Sequence, residues 1–102
     1  MKLGIAFHAT DLSMSAVDLA REAEVRGFYS VYLPEHTHIP TSRRTPAPTG
    51  DAVLGEEYKR CLDPYIALAA AAAVTDRIRL GTGIGLVAQH DAITFAKQLA
   101  TL

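Results

Sequence analysis

The chain has 102 residues, a formal net charge of −1 and 49% hydrophobic residues. This composition is typical of a single globular domain and leaves no room for two. A near-neutral charge provides no basic surface for nucleic acid or for an anionic membrane, so we expect neither as a partner.

Targeting and membrane signals are weak in this sequence. The start, MKLGIAFHATDLS, lacks the apolar run and the small-residue cleavage pattern of a signal peptide. The most apolar segment, IALAAAAAV, has about half the length that a bilayer helix needs. The single cysteine, Cys61, fits a reducing compartment. We therefore expect a cytoplasmic protein.

The first third of the chain predicts a strand, a helix and a second strand. Residues 2–8 alternate large apolar with small residues, which indicates a strand buried on both faces. Ser15 is an N-cap for the helix that follows, and Gly27 is its natural stop. Residues 29–36 are rich in β-branched and aromatic residues and predict the second strand.

A long loop follows the second strand. Residues 37–62 are rich in proline and polar residues, and only the segment GEEYKR predicts a helical turn. A connection of this length in a compact fold is usually functional or disordered. We therefore interpret residues 37–62 as a loop insertion.

The remaining residues predict a helix, a strand and a last helix. Asp63 and Pro64 are a typical N-cap and first helical residue for an alanine-rich helix. Residues 77–83 predict the third strand, and Asp91 caps a helix that is still running at the last residue. Strands that alternate with helices favour right-handed βαβ units and a parallel sheet, hence an α/β fold.

Three strands are too few for a closed barrel or for a stable open parallel sheet. We therefore interpret residues 1–102 as the amino-terminal portion of one larger domain. The exposed strand edges and apolar faces of such a portion predict self-association into a homo-oligomer.

Residues 83–88, GIGLVA, formally match the dinucleotide-binding pattern G-x-G-x-x-A. That pattern belongs in the first βα turn, with its glycines directly opening the helix. Here the glycines follow the third strand, and residues 89–91 separate them from the helix. The segment is therefore not a pyrophosphate loop.

Several segments together resemble a known family: GFYSVYLPEH, DPYIALAAAAAVT, RIRLGTGIGLV and HDAITFAKQLATL. They are similar to the bacterial-luciferase-like monooxygenases and oxidoreductases, most closely to the branch that depends on the deazaflavin coenzyme F420. The resemblance covers essentially the whole chain. It implies roughly the first three βα units of a TIM (β/α)8 barrel, a fold of about 250 residues or more.

The resemblance also implies a cofactor site. In the family, a non-prolyl cis peptide in a bulge after the third strand backs the deazaflavin ring. Here that bond is Gly83–Ile84, with Gly85 in the same bulge. An acidic residue after the second strand contacts the cofactor, which assigns Glu35 to that role. Some members have aspartate at this position. The competing interpretation is that Glu35 does not contact a cofactor and forms a salt bridge near the strand end.

Four histidines are candidates for the reacting side of the site. Because the carboxyl ends of parallel strands converge in a barrel, His8, His36 and His90 are predicted to share one side. The resemblance implies that His36 faces the ring and the substrate, where an imidazole can donate or accept a proton. His8, His38 and His90 are candidates for the substrate side.

The pair His36 and His38 also fits the H-x-H arrangement of zinc hydrolases, although those place it after the first strand. We expect no metal and keep a metal-dependent hydrolase as an alternative.

The favoured function is hydride transfer between F420 and a small organic substrate. Two further alternatives are an FMN-dependent monooxygenase and a non-catalytic oligomeric module. The 102-residue chain by itself is expected to be inactive.

Overall fold

A parallel three-stranded sheet organises the computed structural model, which describes residues 1–102. The strands are β1 (Gly4–Ala6), β2 (Ser30–Leu33) and β3 (Arg79–Thr82). The helices are α1 (Ala16–Val25), α2 (Glu56–Lys59), α3 (Pro64–Ala72) and α4 (Ala92–Thr101), and a short 3-10 helix spans Val87–Gln89. The predicted α/β fold with a parallel sheet is confirmed.

The central strand is β2, which pairs with β1 on one side and β3 on the other. The register aligns Val31 with Ile5 and Leu80, and these three side chains face the helices and join the core. The next row aligns Tyr32 with Ala6 and Gly81. Because successive side chains in a strand alternate between faces, this second row lies on the opposite face.

The core lies between the sheet and the helices α1 and α3, which pack against each other. Its largest fully buried side chains are Val31 and Leu33 from the sheet and Leu68 from α3. Alanines at three positions of α1 are buried, which allows the helix to approach the sheet closely. The shared hydrophobic cluster is Ala9, Ala16, Ala23, Val31, Leu33 and Leu68.

The opposite face of the sheet is open, so the prediction that residues 2–8 are buried on both faces is wrong for this chain. Gly4 and Ala6 of β1 are exposed, and Tyr32 in the central strand is 41% exposed. The physical reason is that α1 and α3 cover one face only. The Tyr32 ring lies across the neighbouring strand, where a Cβ on Gly81 would come within 3.0 Å of it.

The helix termini agree with the sequence. The side chains of Ser15, Asp63 and Asp91 each accept a hydrogen bond from the backbone of the first turn. Gly27 directly follows the C-cap residue of α1, and its φ of 78° lies in the left-handed range that favours glycine. The strands are shorter than predicted, because the strand pairing covers only three or four residues of each.

Residues 37–62 form an extended connection in which α2 is the one helical segment, as predicted. The loop then returns to the end of β1, where Thr10 and Cys61 form an antiparallel bridge. The Leu62 amide donates to the Ala9 carbonyl at 2.9 Å in the same place. The last residues of the loop therefore lie beside the carboxyl end of the sheet.

Candidate functional site

The carboxyl ends of β1, β2 and β3 lie along one edge of the sheet because the strands are parallel. His8 follows β1, Glu35 and His36 follow β2, and the segment beginning at Gly83 follows β3. The residues predicted for the site are thus brought to a common edge. His8 and His36 belong to an open group of rings, and Glu35 and His90 belong to a buried group around a carboxylate.

The open group, called here the ring cluster, consists of His8, His36 and Tyr58. The imidazoles of His8 and His36 are stacked at 6.0 Å between centroids, with an interplanar angle of 8°. Tyr58 lies 5.0 Å from the ring of His8 and 5.1 Å from that of His36. Two of the predicted histidines therefore come together, and a tyrosine from α2 fixes their arrangement.

Partial burial and the neighbouring His8 both lower the pKa of His36 from its ordinary value of 6.5. Both effects act because a charged imidazolium is disfavoured in a less polar site and beside another cation. The neutral form of His36 is therefore favoured at physiological pH. In that form the ring can accept a proton.

Tyr58 was missed by the sequence interpretation. Its position depends on how the loop returns to the sheet. An ion pair of 2.7 Å between Arg60 of the loop and Asp11 connects the loop to the segment after β1. The signal in the sequence was the predicted helical turn GEEYKR shortly before the loop ends. That turn shows local structure but not which strand end it contacts.

The buried group, called here the carboxylate cluster, consists of Glu35, Tyr65 and His90. Glu35 is only 2% exposed. Its Oε2 accepts hydrogen bonds from the Leu86 amide at 2.6 Å and from the Tyr65 hydroxyl at 3.2 Å. Its Oε1 lies 2.6 Å from Nε2 of His90. Because an ionised carboxylate only accepts hydrogen bonds, Nε2 of His90 carries a proton and donates it to this bond.

The protonation of this cluster follows from its hydrogen bonds. Burial raises the pKa of Glu35, but the Leu86 amide and His90 outweigh it, so the pKa lies below its ordinary value of 4.5. Burial, followed by the charge of Glu35, raises the pKa of Tyr65. At neutral pH the cluster therefore contains a carboxylate and a neutral phenol.

His90 and His38 lie apart from the ring cluster. The imidazole of His90 stacks on Phe95 of α4 at 4.2 Å between centroids and points to Glu35. His38 is exposed, with Nδ1 2.8 Å from the Thr37 hydroxyl, which in turn donates to Gln89. Their assignment to the substrate side stays a prediction, which the orientation of His90 does not favour.

The loop after β3 continues the contact with β2. The Gly83 amide donates to the Leu33 carbonyl at 2.9 Å, and the Glu35 amide donates to the Ile84 carbonyl at 3.2 Å. The peptide bond between Gly83 and Ile84 is cis, as the family resemblance implies. The Ile84 side chain is 79% exposed. An apolar side chain flanked by glycines thus projects freely at the strand ends.

Gly85 occupies a crowded position in this loop. A Cβ at this residue would lie 2.7 Å from the Tyr65 hydroxyl and 2.8 Å from the Thr82 hydroxyl. Such distances are shorter than real Cβ contacts, so a side chain here would displace both hydroxyl groups. The glycine therefore allows the loop to approach the carboxylate cluster. The α4 helix begins only at Ala92, so the glycine segment does not open an α-helix.

Tyr65 was also missed by the sequence interpretation. It lies in the first turn of α3, and the first turn of a helix that follows a strand lies near the carboxyl end of that strand. A polar aromatic residue at this helical position was the available signal. Its hydrogen bond to Glu35 joins residues 30 positions apart, which no local pattern specifies.

Two general features complete the description of the site. No group of three or more His, Cys, Asp or Glu side chains converges in an arrangement that could hold a metal ion. None of the helices combines the length and the apolar character needed to cross a membrane. Cys61 is partly buried, and its thiol donates to the Pro34 carbonyl at 3.5 Å.

Comparison with known proteins gives matches over nearly the whole chain. The luciferase-like monooxygenase family matches residues 8–102. Proteins described as uncharacterised from Mycobacterium tuberculosis and Mycobacterium bovis are 48% identical over an alignment of 104 residues that includes all of this chain. The chain spans 37% of the length of these curated relatives. No solved structure gives a significant match.

Proposed function

The chain belongs to the luciferase-like monooxygenase family, and from this membership and the site geometry we propose a role in hydride transfer. The proposed hydride carrier is the deazaflavin coenzyme F420, and the proposed substrate is a small organic molecule. The family membership suggests an oxidoreductase. The cofactor, the reaction and the substrate class are the parts that we propose.

We further propose that the three strands are the first strands of a TIM (β/α)8 barrel. In such a barrel the strands surround a filled interior, and the active site lies at their carboxyl ends. The open sheet face with Tyr32 would then line the interior. The ring cluster and Ile84 would lie at the active end, which is consistent with the edge they share here.

One observation carries the proposed function: the segment with His36 and the loop with Ile84 are hydrogen-bonded side by side. The Glu35 amide, one residue before His36, donates to the Ile84 carbonyl at 3.2 Å. The backbone segments that carry His36 and Ile84 are therefore neighbours at the sheet edge. This pairing suits a planar redox ring that needs support on one side and a proton-transfer group nearby.

The residues present fit a flavin-like ring. A tricyclic ring requires an exposed apolar surface that no larger neighbouring side chain obstructs. Ile84 is 79% exposed, and glycines precede and follow it. These residues would support the ring, while His36 and His8 would lie towards the substrate.

The role of His36 in the proposed reaction is proton transfer. When bound, the deazaflavin would supply the hydride chemistry, which no protein side chain provides. The neutral imidazole of His36 would accept the proton that the substrate loses when its hydride leaves, and return it in the reverse direction. The stacked ring of His8 and the edge of Tyr58 would hold the imidazole in one orientation.

An FMN-dependent monooxygenase is the second candidate. It is favoured by the description of the matching family, which names a monooxygenase. The same apolar support at Ile84 would suit either ring, because both are flat and tricyclic.

A pair of matched substitutions tests the proposed ring support. In the full-length protein, Ile84→Asp places a charge beneath the ring and is expected to weaken binding of F420 or FMN about tenfold or more, since a buried unpaired charge is costly. Ile66→Asp is the control, because Ile66 is similarly exposed, at 74% against 79%, but lies on α3. Equal binding by both variants would contradict the proposal.

A further inference from the structure

The Glu35 carboxylate is hydrogen-bonded to Tyr65 of α3 and to two residues, Leu86 and His90, of the loop that follows β3. We propose that the carboxylate cluster is a positioning device: Glu35, Tyr65 and His90 hold the loop of residues 83–90 in the conformation that presents Ile84. This inference rests on the proposed function for the ligand, but the effect on the loop can be measured without one. It assigns Glu35 an indirect role in place of direct contact with the cofactor.

Glu35 holds the loop at two points. Its amide donates to the Ile84 carbonyl at 3.2 Å, and its side chain accepts from the Leu86 amide at 2.6 Å. These two contacts lie on either side of Gly85. Since Glu35 lies two residues beyond the end of β2, the loop is attached to the central strand of the sheet.

Tyr65 and Gly85 fit closely together. The Tyr65 hydroxyl donates to Glu35 at 3.2 Å and lies where a side chain at residue 85 would begin. The ring of Tyr65 also meets Phe95 edge to face at 4.9 Å. Helices α3 and α4 therefore both contribute to the position of the loop.

His90 supplies the remaining hydrogen bond. Its ring is fixed by stacking on Phe95 and donates from Nε2 to the second oxygen of Glu35. With its side chain 20% exposed, it shields the carboxylate, whose own side chain is 1% exposed. Both oxygens of Glu35 therefore face protein groups and not solvent.

A second glutamate in the chain provides a matched control. Glu24 accepts hydrogen bonds from the amides of Asp76, Arg77 and Ile78, at 3.1, 2.6 and 2.8 Å. It thus also holds a loop, but the loop precedes β3 and lies at the amino-terminal end of the sheet. Loss of Glu24 removes a comparable structural contact far from the strand ends that carry the site.

The experiment compares Glu35→Gln, Tyr65→Phe and Glu24→Gln with the wild type in the full-length protein. Amide hydrogen exchange by NMR reports the loop, and titration with F420 and with FMN reports the affinity. We expect faster exchange at Leu86 and about tenfold weaker cofactor binding in Glu35→Gln, with smaller changes of the same kind in Tyr65→Phe. Glu24→Gln is expected to change exchange at residues 76–78 and leave the affinity unchanged.

Two results would overturn the inference. One is a Leu86 amide that remains as protected in Glu35→Gln as in the wild type. The other is an equal loss of affinity in Glu24→Gln and Glu35→Gln, which would show a general effect of stability. If the wild type binds neither cofactor, the proposed function fails, and the exchange of the Leu86 amide alone decides the positioning role.

Discussion

Nε2 of His90 lies 2.6 Å from Oε1 of Glu35, across 55 positions of sequence. This hydrogen bond joins the end of the central strand β2 to the residue that precedes the N-cap of α4. The loop between them carries Ile84, the exposed apolar residue of the candidate site. The loop that carries the exposed Ile84 is therefore hydrogen-bonded to a buried carboxylate.

The first prediction concerns the pH dependence of stability. Glu35 has a pKa below 4.5 in the folded protein, so the unfolded state binds more protons as the pH falls. Its stabilising contribution is present above pH 4.5 and is lost as the pH falls through the lower, folded pKa. Glu35→Gln should lower the free energy of unfolding by about 1.5–3 kcal/mol at neutral pH.

Urea unfolding across the acid range measures this effect. The difference between wild type and Glu35→Gln should shrink as the pH falls below 4.5, because the wild-type carboxylate becomes protonated. A difference that stays constant over the whole range would show that the charge of Glu35 contributes nothing.

The second prediction concerns the close approach of Gly85 to Tyr65. Gly85→Ala should destabilise the protein by about 1–3 kcal/mol, the usual effect of overpacking, because the new Cβ displaces the Tyr65 hydroxyl. In a Tyr65→Phe background the same substitution should cost less, since that hydroxyl is gone. A double-mutant cycle by chemical denaturation measures the coupling. Strict additivity would exclude this contact as the cause.

The third prediction concerns the core between the sheet and α3. Leu68 is 1% exposed, and Leu68→Ala should destabilise the protein by about 2–5 kcal/mol. Ile66 on the same helix is 74% exposed, and Ile66→Ala should change stability by no more than about 0.5 kcal/mol. Thermal or urea unfolding of the two variants gives the comparison. Similar losses for both would mean that the outer face of α3 is covered in solution.

The fourth prediction concerns His36. If it transfers a proton in the reaction, His36→Gln should lower kcat about a hundredfold to ten-thousandfold. Activity that needs the neutral imidazole should stay constant from neutral pH to below 6.5 and then fall, because the pKa of His36 is lowered. Glu22→Gln, an exposed position on α1, is the control. An unchanged kcat in His36→Gln would remove the residue from the mechanism.

Features determined by neighbouring residues were predicted well from the sequence. Ser15, Asp63 and Asp91 cap helices through bonds within one turn, so a few residues contain the whole signal. The order of strands and helices and the parallel pairing also follow from local patterns. The burial of strand faces was predicted wrongly, because burial depends on what covers each face and not on the strand itself.

Contacts between distant segments were harder to predict. The convergence of His8 and His36 follows from parallel strand direction, which the sequence does indicate. The contacts of Tyr58 and Tyr65 depend on how a long loop and a helix return to the sheet. The inward orientation of Glu35 depends on His90 and Leu86, which come from another part of the chain. Self-association and the substrate-side assignments of His38 and His90 stay predictions.

The most direct test of the central claim is cofactor binding by the full-length protein. Titration with coenzyme F420 and, separately, with FMN should give saturable binding, with F420 the tighter ligand, and Ile84→Asp should weaken it. Saturable binding of FMN alone would favour the monooxygenase alternative over the deazaflavin. Absence of binding for both, in a protein that is folded by circular dichroism, would contradict the assignment of a redox-cofactor site to these strand ends.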